Sequence, residues 1–336
     1  MKKFSITICV VLVVVLGYWY YPKHAQAPIA QPVHEKAEPI TITAVGDIML
    51  DRGVRRSVEK NFANDYSALF EHADYLKESD ITFGNLEGTI TDDISPRTGS
   101  RFSFRMNPIA LPALKDAGFD VLSFANNHVG DYSLKGFTES LRNILESKIL
   151  ATGAGQNYTE VTTPVVITVR GVRIGFLGAT DIGPDWLAAK PDRPGILLAS
   201  DPHLPEIVRT AKQSVDVLVV SLHFGTEYSP ANQRQEELAH ILIDNGADII
   251  LGSHPHVMER VEEYGGGIIY YSLGNYIFDQ YFSSHTMEGM VAHISYDPET
   301  KQLTHSEEVS ELSKQYVPSL LRPFSDTDLI TKRFTP

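Results

Sequence analysis

Two histidines separated by a single residue are the clearest sign of chemistry in this sequence. Residues 247–251 have the composition of a buried strand, Gly252 and Ser253 follow as a turn, and His254 and His256 come next. On extended backbone, residues two apart point to the same side. Because imidazole is a common ligand of zinc, iron, nickel and manganese, this pair predicts half of a metal site. The alternative is a surface loop that holds two histidines, and residues elsewhere in the chain decide between them.

Composition excludes several kinds of function. The chain has 336 residues, of which 43% are hydrophobic and 21% charged, an ordinary balance for a globular protein. Its formal net charge of −13 disfavours nucleic acid as a partner, because phosphate contacts need clustered Lys and Arg. The one cysteine, Cys9, lies in an N-terminal apolar run, so neither a disulfide framework nor a thiolate metal site can form within one chain. A metal would be held by nitrogen and oxygen ligands.

The N-terminus predicts the compartment. Residues 4–21 are uncharged and just long enough to cross a bilayer, and the two lysines before them favour a cytoplasmic N-terminus. We therefore predict one transmembrane helix in residues 1–21, which anchors the chain in the cytoplasmic membrane with its domain on the extracytoplasmic side. The alternative is secretion after signal-peptide cleavage, because residues 25–27, Ala-Gln-Ala, have the small-x-small form. Pro28 directly after them argues against cleavage.

The rest of the chain predicts a linker, one domain and a tail. Residues 22–38 are rich in Pro, Ala and polar residues and are expected to form a flexible linker. In residues 39–310, β-branched runs alternate with helical patterns, which predicts an α/β domain with a largely parallel or mixed sheet. Residues 311–336 have no clear period and are interpreted as a C-terminal tail. Strands are predicted at 40–47, 81–88, 119–128, 215–225, 247–251 and 266–278, hairpins at 164–180 and 290–309, and helices at 65–77, 109–117, 134–147, 205–214 and 229–247.

Polar side chains follow one predicted strand after another. In α/β sheets, ligands gather beyond the carboxyl ends of the strands. The residues at this position are Asp47, Asn85, Glu87, Asn126, Asn127, His128, His223, Glu227, His254, His256 and Asn275. Repetition across six strands that span more than two hundred residues predicts a single shared site.

The donor types in this set indicate a divalent cation. Carboxylate, amide oxygen and imidazole together suit Mn, Fe, Zn or Mg, and two ions would clamp a phosphoryl group. His128 would act as a general acid, and Arg105 would pair with an anionic oxygen of the substrate.

Simpler interpretations stay open for several of these residues. Asn126 and Asn127 would suit a turn, since asparagine tolerates left-handed backbone. Independently, Arg105 would be only a surface cation, and Asn275 would hydrogen-bond a neighbouring loop. Asp51, Asp131 and Glu227 are either partners of the metal ligands or exposed carboxylates.

Seven motifs occur in the order of a known family. They are AVGDIML (44–50), FGNLEG (83–88), FRMNP (104–108), DVLSFANNHVGDY (120–132), VVSLHFGTEY (219–228), GSHPHV (252–257) and YSLGNYIFD (271–279). In these motifs the sequence resembles the capsule-synthesis CapA family, also known through PgsA and associated with poly-γ-glutamate. The resemblance implies an extracytoplasmic domain with a calcineurin-like metallophosphoesterase fold, a four-layer sandwich of two mixed sheets flanked by helices.

The wider phosphoesterase family implies roles for individual residues. This resemblance, together with the residue chemistry above, leads us to expect Asp47, Asn85, Glu87, Asn127, His223, His254 and His256 as metal ligands, with His128 and Arg105 as catalytic residues. The family's Asp-x-His appears here as Asp47-Ile48-Met49, so one imidazole is missing. Its Gly-Asp appears as Gly84-Asn85, which removes a charge unless Glu87 replaces it. These departures leave open whether one ion or two are bound.

Three functions are compatible with these features. The first is a membrane-anchored factor in the synthesis or export of a capsule or exopolymer, working with membrane-embedded polymer synthase subunits on an anionic polymer. The second is a metal-dependent phosphoesterase of the cell envelope, with a phosphoester substrate. The third is a polymer-binding module without catalysis. A bound ion would separate the first two from the third.

Overall fold

Eighteen strands and seven helices are found in residues 37–95 and 102–334, which are the residues that this computed structural model describes. The strands are β1 Ile40–Ile48, β2 Ile81–Leu86, β3 Thr89–Ile90, β4 Arg105–Met106, β5 Val121–Ser123, β6 Leu150–Thr152, β7 Ala154–Gly155, β8 Val165–Val169, β9 Val172–Thr180, β10 Gly195–Ile196, β11 Val217–His223, β12 Ile249–Ser253, β13 Val261–Tyr264, β14 Gly267–Tyr270, β15 Asn275–Ile277, β16 Glu288–Asp297, β17 Gln302–Leu312 and β18 Pro318–Pro323. The helices are α1 Arg52–Asn61, α2 Ala110–Asp116, α3 Ser133–Glu146, α4 Tyr158–Val161, α5 Leu204–Gln213, α6 Gln233–Asp244 and α7 Ser284–Met287.

Most of these strands form two mixed sheets. The first has the order β18-β17-β16-β1-β2-β5-β6, and β15 also pairs with β1. Its β15, β1, β2, β5 and β6 are parallel, and β16 to β18 are antiparallel. The second has the order β13-β14-β12-β11-β9-β8, with a parallel centre and an antiparallel strand at each edge. The parallel strands of each sheet therefore end at a common edge.

The hydrophobic core lies in three layers. Residues of β1, β2 and β5 pack against residues of β9, β11, β12 and β14 between the sheets, where the rings of Phe83 and Phe176 stack with centroids 6.0 Å apart. A second cluster joins the outer face of the first sheet to α1, α2 and α3. A third joins the second sheet to α5 and α6. The predicted mixed α/β fold is confirmed, and the helices lie outside the two packed sheets.

The structure differs from the sequence prediction in two segments. Residues 65–77 form two short 3₁₀ helices, Tyr66–Phe70 and Asp74–Lys77, instead of one α-helix. The first buries Tyr66, Leu69 and Phe70, and the second buries Leu76, so the apolar residues that predicted a helix do face the core. Residues 311–336 are not simply a tail, because β17 continues to Leu312 and β18 pairs with it.

The membrane predictions fall outside the described chain. The expected transmembrane helix in residues 1–21, the cleavage site at 25–27 and the linker up to residue 36 lie outside the described residues. Among residues 37–95 and 102–334, no helix is long and apolar enough to cross a bilayer.

Candidate metal centre

Asp47 lies where three strands of the first sheet meet. It is in register with Asn85 on β2 and with Asn275 on β15. The approach of β15 requires a glycine before Asp47, because a Cβ on Gly46 would lie 1.9 Å from the carbonyl oxygen of Gly274. The Asn85 amide donates to Asp47 Oδ1 over 2.8 Å. The fold therefore places two buried oxygen-bearing side chains beside each other.

The second sheet brings its histidines to the same carboxylate. The backbone amide of His254 donates to Asp47 Oδ2 over 3.2 Å, and His256 Nδ1 lies 3.2 Å from the same oxygen. His256 Nδ1 is also 3.0 Å from Asn275 Oδ1. Asp47 therefore joins the ends of both sheets at one point.

The turn that holds these histidines is not extended. β12 ends at Ser253, and His254 and His256 have φ of +100° and +59°. Left-handed backbone is costly for residues with a Cβ and is concentrated at functional sites. This turn, rather than the alternation of a strand, places the two ring centroids 6.0 Å apart.

His223 ends β11 at the centre of the site. Its Nε2 lies 2.8 Å from Asn127 Oδ1, and its Nδ1 lies 3.0 Å from Ser253 Oγ. Its ring centroid is 4.9 Å from that of His254. Burial lowers the pKa of His223 well below its ordinary value and lowers the pKa of His254 to about 3. Both imidazoles are therefore neutral, as metal ligands must be.

Glu87 is a fully buried carboxylate without hydrogen bonds in the described chain. Its Oε1 lies 3.7 Å from His256 Nε2 and 3.8 Å from His128 Nε2, and neither carboxylate oxygen has a hydrogen-bond partner there. Burial raises the pKa of Glu87 well above its ordinary value, although the charge of His256 opposes this. Burial lowers the pKa of His256, but the carboxylates of Glu87 and Asp47 outweigh it, and the net shift is upward.

Two groups of ligand atoms are compact enough to hold a cation. They are Asp47, Glu87 and His256, and Glu227, His254 and His256, and in each the atoms lie within 4.8 Å of one another. Opposing ligands of one ion, each about 2 Å from it, span roughly 4 Å. His256 belongs to both groups.

Buried atoms without partners support the same assignment. Asn85 Oδ1 and His254 Nδ1 have no hydrogen-bond partner among the described residues, like both oxygens of Glu87. Buried polar atoms are normally paired, and an unpaired buried carboxylate is strongly unfavourable. One or two divalent cations would pair with such atoms. The residues present therefore fit a metal, and their nitrogen and oxygen donors suit Mn, Fe, Zn or Mg.

His128 is held at the edge of this cluster by Asp131. Its Nδ1 lies 2.8 Å from Asp131 Oδ2, and the same carboxylate oxygen accepts the backbone amide of Phe104. The Phe104 ring stacks on the imidazole with centroids 3.9 Å apart. The side chain of His128 is 14% exposed, and its Nε2 is on the side of Glu87. This orientation leaves Nε2 available to exchange a proton with a ligand.

A cavity of about 540 Å³ opens onto the cluster. It is lined by Arg52, Phe102, Phe104, His128, Glu227, Tyr228, His256, Gln280, Phe282, Arg333 and Phe334. Arg105 is not among these residues. Its guanidinium is 3.4 Å from the carbonyl oxygen of Thr91, and its backbone amide donates to Asp51. The substrate-facing role predicted for Arg105 therefore has no support in this geometry.

Residues 41–280 match the family described as bacterial capsule synthesis protein PGA_cap. The chain belongs to this family. It is 36% identical over 280 residues to the capsule biosynthesis protein CapA of Bacillus anthracis, with 81% of this chain and 67% of that one covered. It is 34% identical over 283 residues to the PGA biosynthesis protein CapA of Bacillus subtilis (strain 168), with 83% and 73% covered. The resemblance to the CapA family is confirmed.

One solved structure supports the fold alone. A hypothetical protein from Thermus thermophilus superposes with a TM-score of 0.51 at 16% identity, covering 81% of this chain and 99% of that one.

The PGA_cap chain brings most of the expected site residues together. The seven residues expected as metal ligands, together with His128, are linked by direct contacts into one network at the carboxyl edge of both sheets. Three contributors were missed or left open: Glu227 joins a ligand group, Asp131 orients His128, and Arg52 lines the cavity. Arg52 had a weak signal, since it follows the Asp47 motif in the run MLDRG.

Proposed function

We propose that this PGA_cap chain is a metal-dependent component of poly-γ-glutamate capsule synthesis or export. The relatives named CapA support the process, and the N-terminal sequence supports a membrane-anchored domain on the extracytoplasmic side. The observation that carries the metal dependence is the group of buried ligand atoms without partners around Asp47, Glu87 and His256. Buried polar atoms without partners lower the stability of the fold, and a bound cation would remove this cost by pairing with them.

In this proposal, one or two divalent ions of Mn, Fe, Zn or Mg are held between the two sheets. Asp47, Glu87 and His256 form one set of ligands, and Glu227, His254 and His256 form the other. Asn85 Oδ1 would be available to the same ion, and the Asn85 amide holds Asp47 by a hydrogen bond. His223 and Asn127 are paired with each other beside these sets. A bound ion supplies positive charge that polarises an anionic substrate.

A second candidate function is phosphoester hydrolysis, on a calcineurin-like metallophosphoesterase fold. The observation that favours it is the Asp131–His128 pair, which holds one imidazole nitrogen toward the cluster. His128 would protonate a leaving-group oxygen, and Asp131 would keep the ring in the required orientation. The packing of two mixed sheets between helices is compatible with this fold.

Complementation tests the first function. A Bacillus subtilis strain that lacks its CapA relative would receive the full chain or its Asp47→Ala variant, and secreted γ-linked polyglutamate would be measured. We expect polymer with the wild-type chain and none with the variant at equal protein level. Equal polymer from both would contradict metal dependence at this site.

Turnover tests the second function. The full chain, purified in detergent and loaded with Mn²⁺, would be assayed on phosphomonoesters and phosphodiesters beside His128→Ala. Loss of turnover in this variant, with unchanged metal content, would support hydrolysis. Absence of metal-dependent turnover in the wild-type chain would remove the phosphoesterase proposal and leave the first one standing.

A further inference from the structure

Arg52 occupies an unusual position at the mouth of the metal cavity. It is the first residue of α1, immediately after the loop that follows β1, and its φ is +50°. Left-handed backbone is uncommon for a residue with a long side chain, and such strain is retained where the surroundings enforce it. The next residue has to be glycine, because a Cβ on Gly53 would lie 2.7 Å from Cβ of Asp279.

Asp279 fixes the guanidinium of Arg52. Arg52 Nε donates to Asp279 Oδ2 over 3.1 Å, and Nη2 donates to Oδ1. The backbone amide of Gly53 donates to the same Oδ2 over 2.8 Å. A bidentate pair of this kind holds an arginine in one orientation. Within residues 37–95 and 102–334, no hydrogen bond occupies Nη1.

Aromatic rings support the same guanidinium. It lies 5.0 Å from the ring centroid of Phe104 and 5.9 Å from that of Phe102. Phe104 also stacks on His128, so one ring contacts both the cation and the candidate general acid. The side chain of Arg52 is 32% exposed, and it lines the cavity that His128, Glu227 and His256 also line.

A second arginine reaches the cavity from the end of the described chain. The backbone amide of Phe334 donates to the carbonyl oxygen of Tyr228 over 3.1 Å, and their rings stack with centroids 5.4 Å apart. These contacts bring Arg333 to the cavity wall. In a chain with a net charge of −13, two arginines beside a cation site select for a ligand with more than one negative group.

We infer that Arg52 is an anion-positioning residue that binds an oxyanion of the ligand, a carboxylate or a phosphate, with Arg333 as a second cation for the next negative group. This inference rests on the proposed function, because the ligand lies beside the metal centre. The aromatic wall of Phe102, Phe104 and Tyr228 would contact the apolar part of the same ligand. In a γ-linked glutamate chain, two methylene groups and an amide separate successive carboxylates, which matches this alternation of charge and apolar surface.

Calorimetric binding tests the inference. The full chain, purified in detergent and loaded with Mn²⁺, would be titrated with a γ-linked glutamate oligomer in one arm and with inorganic phosphate in the other. We expect Arg52→Gln to weaken oligomer binding at least tenfold, with unchanged metal content. Arg52→Lys is expected to recover part of the affinity, because it retains the charge without the bidentate geometry.

Matched variants keep the result specific. Arg56→Gln removes an exposed arginine from the same helix and is expected to bind the oligomer like the wild-type chain. Arg333→Gln is expected to weaken binding less than Arg52→Gln, and, being exposed, it tests the same subsite if Arg52→Gln fails to fold. Binding of phosphate alone, with the same dependence on Arg52, would assign the subsite to a phosphoester.

The failures can be separated. Metal-loaded Arg52→Gln that binds both probes like the wild-type chain would overturn the inference and leave the proposed function intact. A wild-type chain that takes up no metal would overturn the proposed function, and the Arg52 variants would then test the subsite in the metal-free chain. Absence of binding of either probe to the metal-loaded wild-type chain would overturn the inference.

Discussion

The two ends of the parallel strands treat their carboxylates in opposite ways. At the amino end, an aspartate directly precedes each of four strands and accepts the backbone amide of a neighbouring strand. The acceptor and donor pairs are Asp80 with Thr41, Asp120 with Thr82, Asp216 with Arg173, and Asp248 with Leu218. Each aspartate also pairs with a cation, which is Arg170, Lys115, Arg173 or Lys212 respectively. These carboxylates tie adjacent strands together.

At the carboxyl end, the polar groups are buried without full pairing. Glu87 keeps both oxygens without hydrogen bonds in the described chain, and burial raises its pKa. At the other end, the hydrogen bond from Arg170 holds the pKa of Asp80 below its ordinary value. The same residue class stabilises the fold at one end and is left for a ligand at the other. Pairing, rather than residue type, therefore distinguishes the carboxylates that tie strands together from those of the candidate metal centre.

The largest effect is expected from His256→Ala. His256 is shared by both ligand groups, so its loss should weaken metal binding by more than the roughly 10–100-fold typical for an outer-shell partner. Metal content after dialysis, measured by mass spectrometry, checks this. His240→Ala is the control, because His240 pairs with Glu262 away from the site. Full metal content in His256→Ala would contradict a metal centre at the carboxyl end, and with it the contrast between the two ends.

Glu87→Gln should separate binding from stability. Removing the buried charge should weaken metal binding about 10–100-fold, comparable to other losses around a metal site. In EDTA, the same change should raise the free energy of unfolding by about 1–3 kcal/mol, because the neutral amide of Gln carries no charge to desolvate. Denaturant titration at pH 8 with and without metal measures both. A less stable metal-free variant would show that Glu87 has a structural partner.

Asp248→Asn should have the opposite effect to Glu87→Gln, lowering stability without affecting metal binding. Asp248 accepts bonds from the Lys212 ammonium and the Leu218 amide, both over 2.6 Å. Replacing the carboxylate should lower the free energy of unfolding by about 1 kcal/mol, since the group is partly exposed, and leave metal content unchanged. Denaturant titration and metal analysis on one preparation check both. Lower metal content would mean that the two ends of the strands are coupled.

The smallest effect is expected from Asp80→Asn, and it depends on pH. The pKa of Asp80 is lowered in the folded chain, so its stabilisation is present above its ordinary value of 3.8 and is lost as pH falls through the folded value. Asp80→Asn should therefore be less stable than the wild-type chain at pH 7, and the difference should shrink as the pH falls below 3.8. Thermal melts across this range, in the presence of EDTA, would show the difference. A constant difference would contradict the linkage.

Sequence predicted the strand ends well because strand composition and polar residues at strand termini are local features. Asp47, Asn85, His223 and the histidine pair could be assigned from these patterns without knowledge of the strand order. The left-handed turn at His254 could not be predicted from these patterns, because it depends on a hydrogen bond from the His254 backbone amide to Asp47 in the other sheet. Arg52 was missed for a similar reason. Its orientation is set by Asp279, which is 227 residues away in the chain.

The candidate metal ligands come from both sheets, which would affect how an ion is selected. Asp47 and Glu87 precede His254 and His256 by well over a hundred residues, so the pocket exists only after the two sheets have packed. A polypeptide that crosses a membrane unfolded would carry no ion with it. The metal it acquires would then be decided by the supply on the far side of that membrane, rather than by the buffered metals of the cytosol.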